Sequence, residues 1–185
     1  MTKKQTALYI ARLGLTLFVI TAVVAAALAC VNSVTAPRSA AEKERKTQAA
    51  IEQVLPGGGT LVDPSRYDNQ GGLVANVYES DAGYAVAVNP TGFNGAISMM
   101  VGVSRDGKVL GISIISHTET AGLGAEAAAD TPKGEAFRDQ FQGLSGELTV
   151  KKDGGTVDQL TGATITSRGV TQGVSAALAC VAGLV

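Results

Sequence analysis

The feature that most constrains the fold is an uncharged apolar run near the N-terminus, residues 13–31, with the sequence LGLTLFVITAVVAAALACV. A helix rises 1.5 Å per residue, so these nineteen residues nearly span a hydrocarbon core of about 30 Å. We predict a single transmembrane helix, 13–36, after a short N-terminal segment, 1–12. The rest of the chain then has room for one domain outside the membrane.

Two alternatives involve cleavage of this run. Ala27-Leu28-Ala29 before Cys30 is similar to a signal-peptidase site, and Ala-Leu-Ala-Cys is similar to a lipoprotein box with Ala in place of its usual Leu. The run is longer than a signal-peptide core of about 7–15 residues, which favours an uncleaved anchor. Basic residues lie on both sides of the run, so charge alone does not set its orientation.

The segment after the anchor is rich in helix formers from Ser39 to Val54 and ends at Pro56-Gly57-Gly58-Gly59. We predict a juxtamembrane helix and linker over 37–59 and a folded domain over 60–185. This domain should contain a loop-rich fold with small core side chains, because the chain has 23 Gly and few aromatic residues.

Charge and cysteine content argue against a nucleic-acid-binding protein, a disulfide and a metal site. The formal net charge is −1, which gives no reason to expect nucleic acid as a partner. Cys30 lies in the apolar run and Cys180 near the far end of the chain, so we do not expect a disulfide. With a single His there is no evident metal-ligand set.

Alternating apolar segments predict an α+β domain built on an antiparallel sheet. The strands 73–78 and 84–88 form one hairpin, and 96–104 and 108–115 form another around Asp106-Gly107. A last strand is predicted over 148–152. A short helix over 132–142 carries Phe137 and Phe141 at i, i+4, which we assign to the core.

A hydroxyl-rich segment, Asp158 to Arg168, precedes the last helical pattern. Its Thr and Ser residues should lie at a helix N-terminus, where unpaired N–H groups and the helix dipole favour a phosphate. A Thr that merely caps the helix is the alternative, and it needs no cofactor.

The pattern Asp158-x-x-Thr161-Gly162-Ala163-Thr164 resembles the flavinylation motif of the FMN-binding domain family. That family includes the G subunit of the Rnf electron-transport complex and the C subunit of the Na⁺-pumping NADH:quinone reductase. The resemblance implies covalent FMN, joined by a flavin transferase through a phosphoester to Thr164. It also implies that Thr161, Gly162 and Ala163 bind the cofactor and that Asp158 is recognised by the transferase.

A second segment, 116–124, resembles the His-x-Glu-Thr-Pro-Gly-Leu-Gly segment of the same family, with Ala121 in place of Pro. The resemblance implies that four of its residues contact or shape the FMN pocket. Lys151 is a further candidate for contact with the flavin, and His117 is interpreted as a turn residue without a redox role. The four implied pocket residues are Glu119, Thr120, Leu123 and Gly124.

Together these resemblances cover about residues 73 to 185 and favour an Rnf-type G subunit over the longer C subunit. They imply an electron relay without a complete active site of its own, in a complex that couples ferredoxin:NAD⁺ electron transfer to Na⁺ or H⁺ translocation. The implied partners are the other subunits of that complex, the transferase and membrane lipid. The resemblance also implies a cytoplasmic N-terminus, 1–12, and an extracytoplasmic domain, 60–185, on the periplasmic or extracellular side of the inner (cytoplasmic) membrane. A flavin-free anchored scaffold and a component of another extracytoplasmic reductase are the alternatives.

Overall fold

The computed structural model describes residues 3–184, with side chains from Arg12 onward, and divides after Arg45 into two compact units. Residues 1 and 2 of the predicted cytoplasmic segment lie outside the described residues. The second unit, from Lys46, holds a five-stranded antiparallel sheet with helices on both faces. The predicted α+β class with an N-terminal apolar helix is confirmed.

The first helix, α1, runs over Lys3–Val54 and is long and apolar enough to cross a membrane. From Leu13 to Val34 its large apolar side chains are exposed, unlike those of a core helix. The helix predicted for 39–54 is continuous with the apolar helix, although Pro37 lies inside α1. Proline removes one backbone hydrogen bond from a helix interior, so a sequence-based boundary near Pro37 was expected.

The sheet is a meander with strand order β1-β2-β3-β4-β5. The four strands predicted from the sequence are confirmed, and the short β1 was not predicted. The β4–β5 turn contains Gly107 with φ of +71°, which is the left-handed conformation expected of the Asp-Gly step. The strands are β1 (Thr60–Leu61), β2 (Val74–Ser80), β3 (Gly83–Val88), β4 (Ser98–Ser104) and β5 (Val109–Ser116).

The strand predicted for 148–152 is wrong. Val150 makes a single bridge to Val157, and Lys151–Asp153 forms a 3₁₀ turn. The turn ends at Gly154, whose φ of +88° reverses the chain. The apolar pattern reflected burial of Leu148 and Val150 and not a sheet ladder.

Helix α3 (Thr164–Ala182) covers one face of the sheet, where its Val170 and Val174 join a core with Val86 and Val101. The end of α1 covers the opposite face through Ile51 and its neighbours. Successive side chains of a strand point to opposite sides of the sheet, so alternate residues of each strand pack against α3 or against the end of α1. Both faces are therefore buried.

Helix α2 (Pro132–Asp139) begins after Thr131, whose hydroxyl accepts a hydrogen bond from the Gly134 N–H. Phe137 and Phe141 are buried, with ring centroids 5.6 Å apart in an edge-to-face arrangement, so their assignment to the core is confirmed. Both cysteines are free, and burial raises the pKa of the Cys180 thiol to about 11.

Candidate functional site

A pocket of about 290 Å³ lies in front of the first turn of α3. Three segments that are distant in sequence form it: the loop before β4, the loop after β5 and the start of α3. Both sequence motifs thus meet at one place. The lining residues are Phe93, Glu119, Thr120, Leu123, Gly124, Gly162, Ala163, Thr164, Ile165 and Thr166. A larger groove, about 460 Å³, lies farther along α3 and contains none of the predicted site residues.

The start of α3 has no side-chain cap, since Ala163 occupies the N-cap position and Thr164 is the first helical residue. The predicted hydroxyl residues thus lie at the helix start, and the alternative of a Thr that caps the helix is not what the structure has. The buried hydroxyl of Ser167 instead stabilises this turn with two hydrogen bonds. It donates to the Ala163 carbonyl at 2.9 Å and accepts from the Leu160 N–H at 3.0 Å. This arrangement leaves the N–H groups of the first turn and the positive end of the helix dipole directed toward the pocket.

Gly162, immediately before this helix, has a φ of +77°. A Cβ there would come within 2.9 Å of Leu123 Cδ2, so the side chain of Leu123 packs closely over the motif backbone. The glycine is required both by the backbone conformation and by this contact between the two motifs.

The buried carboxylate of Glu119 ties the three segments together. Its Oε2 accepts a hydrogen bond from Thr166 Oγ1 at 2.5 Å, and its Oε1 accepts one from the Asn94 N–H at 3.0 Å. Gly92 and Gly124 leave room for it, because a Cβ at either position would lie 2.4 Å from a carboxylate oxygen. The pocket walls are therefore preformed around one ionisable side chain.

Asn94 and Thr118 add further bonds between the two loops. Asn94 Nδ2 donates to Thr120 Oγ1 at 2.9 Å, and Thr118 Oγ1 donates to the Asn94 carbonyl at 2.8 Å. His117 Nδ1 accepts a hydrogen bond from the Glu119 N–H at 3.2 Å. These contacts hold the loops without directing the His117 ring into the pocket lining.

Apolar side chains that are exposed to solvent form the rim of the pocket: Phe93, Leu123 and Ile165. Phe93 and Ile165, like the hydrogen-bonding residues Asn94 and Thr166, were not predicted as pocket residues. A signal was present in Gly92-Phe93-Asn94-Gly95, where an aromatic residue lies within a turn pattern and not in a periodic apolar run.

Three of the predicted site residues lie outside this pocket. Lys151 Nζ pairs with Asp158 Oδ2 at 2.7 Å, and both side chains are exposed. Thr161 lines a neighbouring cleft of about 260 Å³ together with Asp158. The 3₁₀ turn at 151–153 directs Lys151 to the Asp158 carboxylate, so the structure does not bring it to the pocket.

Gln140 fixes the backbone of Asp158. Its Oε1 accepts from the Asp158 N–H at 2.7 Å, and its Nε2 donates to the Asp158 carbonyl at 3.0 Å. The carboxylate itself remains on the surface, where a second protein can reach it.

The pocket residues match the chemistry of FMN, which has a phosphate at one end and a flat ring system at the other. The uncapped helix start suits a phosphate. The apolar rim suits a flat ring system.

Comparison with known proteins identifies an FMN-binding domain in the part of the chain that forms the pocket. Residues 92–179, which include all three pocket segments, match the FMN-binding domain. The G subunit of the Na⁺-translocating ferredoxin:NAD⁺ oxidoreductase complex of Acetobacterium woodii is 35% identical, over 89% of this chain and 87% of that protein. The proton-translocating counterpart from Clostridium ljungdahlii is 36% identical, over 82% and 80%. The G subunit of the ion-translocating oxidoreductase complex of Methanosarcina acetivorans is 31% identical, over 91% and 93%. The chain therefore belongs to the family of G subunits of ion-translocating oxidoreductase complexes, and its folded unit carries an FMN-binding domain.

Proposed function

We propose that this chain is the flavin-carrying electron-relay component of a membrane complex that couples electron transfer between ferredoxin and NAD⁺ to translocation of Na⁺ or H⁺. The observation that carries the proposal is the meeting of both motifs at one pocket in front of Thr164. The names of the relatives from A. woodii and C. ljungdahlii support the reaction and the presence of other subunits. When bound, FMN supplies the redox chemistry, and the residues of this chain bind and orient it.

The attachment we propose is a phosphoester between FMN and Thr164 Oγ1. Thr164 lines the pocket at the first helical position, where its hydroxyl is not the helix cap. In this step the donor is FMN activated as a phosphoanhydride, and Oγ1 forms a bond to its flavin-side phosphorus. The phosphoanhydride P–O bond breaks, the second phosphate-bearing group leaves with the bonding electrons, and the hydroxyl proton goes to solvent. A flavin transferase would catalyse the step, and the exposed carboxylate of Asp158 is the group we propose it recognises.

Replacement of Thr164 by Val tests this attachment. The variant should fold with wild-type stability, because no cap hydrogen bond is lost, and it should carry no covalent flavin. Thr164→Ser is the matched control and should still be loaded. The measurements are intact mass and in-gel flavin fluorescence after co-expression with a flavin transferase. A Thr164→Val protein that retains covalent flavin would refute the assignment.

Asp158 is tested separately through the rate of loading. Asp158→Asn keeps the backbone contacts with Gln140 but removes the charge, so we expect slower loading with unchanged folding. Lys151→Gln removes the paired cation and serves as the comparison, because it leaves the carboxylate in place. Equal loading of Asp158→Asn and the wild type would exclude a role for this carboxylate.

The exposed apolar surface of α1 and the family of membrane-complex subunits indicate a membrane-anchored protein. We propose that the domain lies on the periplasmic or extracellular side and that membrane lipid surrounds 13–36. The intact chain should then resist carbonate extraction, and protease added from the non-cytoplasmic side should remove the domain. Digestion only from the cytoplasmic side would reverse this orientation.

A further inference from the structure

The exposed apolar side chains of the folded unit are concentrated at the pocket. Among the described residues 46–184, large apolar side chains are exposed at five positions: Leu61, Phe93, Leu110, Leu123 and Ile165. Three of these five line the one pocket at the start of α3. Clustered exposed apolar surface at a concave site indicates a ligand with an apolar face.

Phe93 is the most exposed of the five, with 63% of its surface accessible. The two other aromatic rings of this type in the folded unit, Phe137 and Phe141, are buried in the core. The ring of Phe93 thus lies in water at the edge of a cavity, whereas the other two rings are packed in the core. The folded chain leaves this ring uncovered.

The loop that carries Phe93 is held tightly. Gly92 N donates to the Gly95 carbonyl at 2.7 Å, and Thr91 bridges to Ala96, so Phe93 and Asn94 form the tip of a tight turn. Asn94 then bonds to Glu119 and Thr120 across the pocket wall. The ring of Phe93 is thus presented by a fixed backbone, as in a preorganised binding site.

We propose that Phe93 is the residue that covers the ring system of the bound flavin and screens one of its faces from solvent, with Asn94 as the residue that positions it. The inference rests on the proposed function, because it requires flavin in this pocket. The other two exposed rim residues, Leu123 and Ile165, belong to the motif segments and form the remaining apolar edge. Their aliphatic side chains supply contact area, whereas the planar ring of Phe93 can lie flat against an aromatic ligand.

The test is collisional quenching of flavin fluorescence by acrylamide, a neutral quencher, on the flavin-loaded full chain in detergent. The variants are Phe93→Ala, Phe93→Leu and Asn94→Ala, with Leu61→Ala as a control that removes an equally exposed side chain far from the pocket lining. A flat ring has two faces, so uncovering one should raise the bimolecular quenching constant about twofold in Phe93→Ala. Phe93→Leu, which lacks the planar ring, and Asn94→Ala, which loosens the loop, should both fall between Phe93→Ala and the wild type.

Covalent loading is measured by mass on the same samples. Each Stern–Volmer constant is divided by the unquenched fluorescence lifetime to give the bimolecular quenching constant. Equal constants for loaded Phe93→Ala, Leu61→Ala and wild type would overturn the inference and leave the proposed function intact. A wild-type chain without flavin would overturn the proposed function, and this inference with it.

Discussion

At the scale of single residues, the hydrogen bond between Thr166 and Glu119 is the contact on which the pocket depends most. Both side chains are buried, and the bond joins the start of α3 to the loop after β5. A carboxylate removed from water needs such donors, since an unsatisfied buried acceptor keeps the full cost of its lost hydration.

Thr166→Val removes the hydroxyl while keeping the branched shape. Hydrogen bonds to charged groups contribute about 1.5–3 kcal/mol, so we expect the free energy of unfolding to fall by about that amount. Urea unfolding monitored by circular dichroism measures it. Thr156→Val, at an exposed position, is the control and should change stability little. Equal urea midpoints for the two variants would show that the carboxylate does not depend on Thr166.

The sequence was sufficient to place Thr164 in the first turn of a helix and to bring Glu119, Leu123 and Gly124 to the same site. It was insufficient for Phe93 and Ile165, because a single apolar residue in a turn or at a helix start has no periodicity to detect. It left open a Thr cap where Ala163 lies, because the hydrogen bonds of Ser167 depend on a loop conformation that the sequence pattern does not specify.

At the scale of elements, the contact between the end of α1 and the sheet depends on one glycine in β4. A Cβ on Gly102 would lie 2.4 Å from the Val54 carbonyl oxygen and 3.0 Å from Val54 Cβ. Its cross-strand partner in β5, Gly111, has open space at the same position.

Gly102→Ala should therefore displace the end of α1 and lower the free energy of unfolding by about 1–3 kcal/mol, as expected for overpacking. Gly111→Ala is the matched control, and it should be neutral or slightly stabilising because alanine reduces the entropy of the unfolded chain. Thermal and urea unfolding of both variants provide the comparison. A Gly102→Ala protein as stable as Gly111→Ala would mean that the helix end does not rest on β4.

A second link between elements is the ion pair of Asp153, in the 3₁₀ turn, with Arg168 on α3. Two hydrogen bonds of 2.6 Å join them, and these bonds from Arg168 hold the pKa of the Asp153 carboxyl below its usual value. Because the pKa is lower in the folded state, the stabilisation is complete above the unfolded-state pKa of about 3.9 and is lost as pH falls through the folded-state pKa.

Arg168→Gln should accordingly be less stable than the wild type at neutral pH, with the difference in free energy of unfolding constant down to about pH 5 and shrinking below about pH 4. Urea titrations at several pH values measure this difference. Lys133→Gln, at an exposed position on α2, is the control and should show no such dependence. A difference that stayed constant to acid pH would assign the effect of Arg168 to packing.

Strands β2 to β5 were predictable because short apolar segments bounded by turn residues are a strong local signal. The predicted strand at 148–152 failed because Thr149 and Val150 pair with the chain after Gly155, and a Cβ on that glycine would overlap the Thr149 carbonyl. This is a contact between two loops, and a short apolar run cannot distinguish it from a sheet ladder.

At the scale of the whole molecule, the extent of the folded unit differs from the domain boundary suggested by sequence. The compact unit begins at Lys46, and Ile51, Val54 and Leu55 are buried against the sheet. The triple glycine after Pro56 resembles a linker, yet the chain before it is part of the packed domain.

A fragment over 46–185 should fold independently, whereas one over 60–185 should be unstable or aggregate. Full burial of each large apolar side chain contributes about 1.5–3 kcal/mol, and three such losses approach the total stability of a domain, about 5–15 kcal/mol. Gel filtration and thermal unfolding of both fragments compare them. Equal stability would show that the end of α1 covers the sheet without stabilising it.

The meander order of the sheet also has a consequence for folding kinetics. Each strand pairs with the one before it in sequence, so closing the sheet costs little loop entropy. The pocket instead requires contacts across 25 residues, from Asn94 to Glu119, and across 47 residues, from Glu119 to Thr166. We expect the sheet to form early and the pocket late. Binding of FMN in this pocket would then follow formation of the sheet and complete the maturation of the domain.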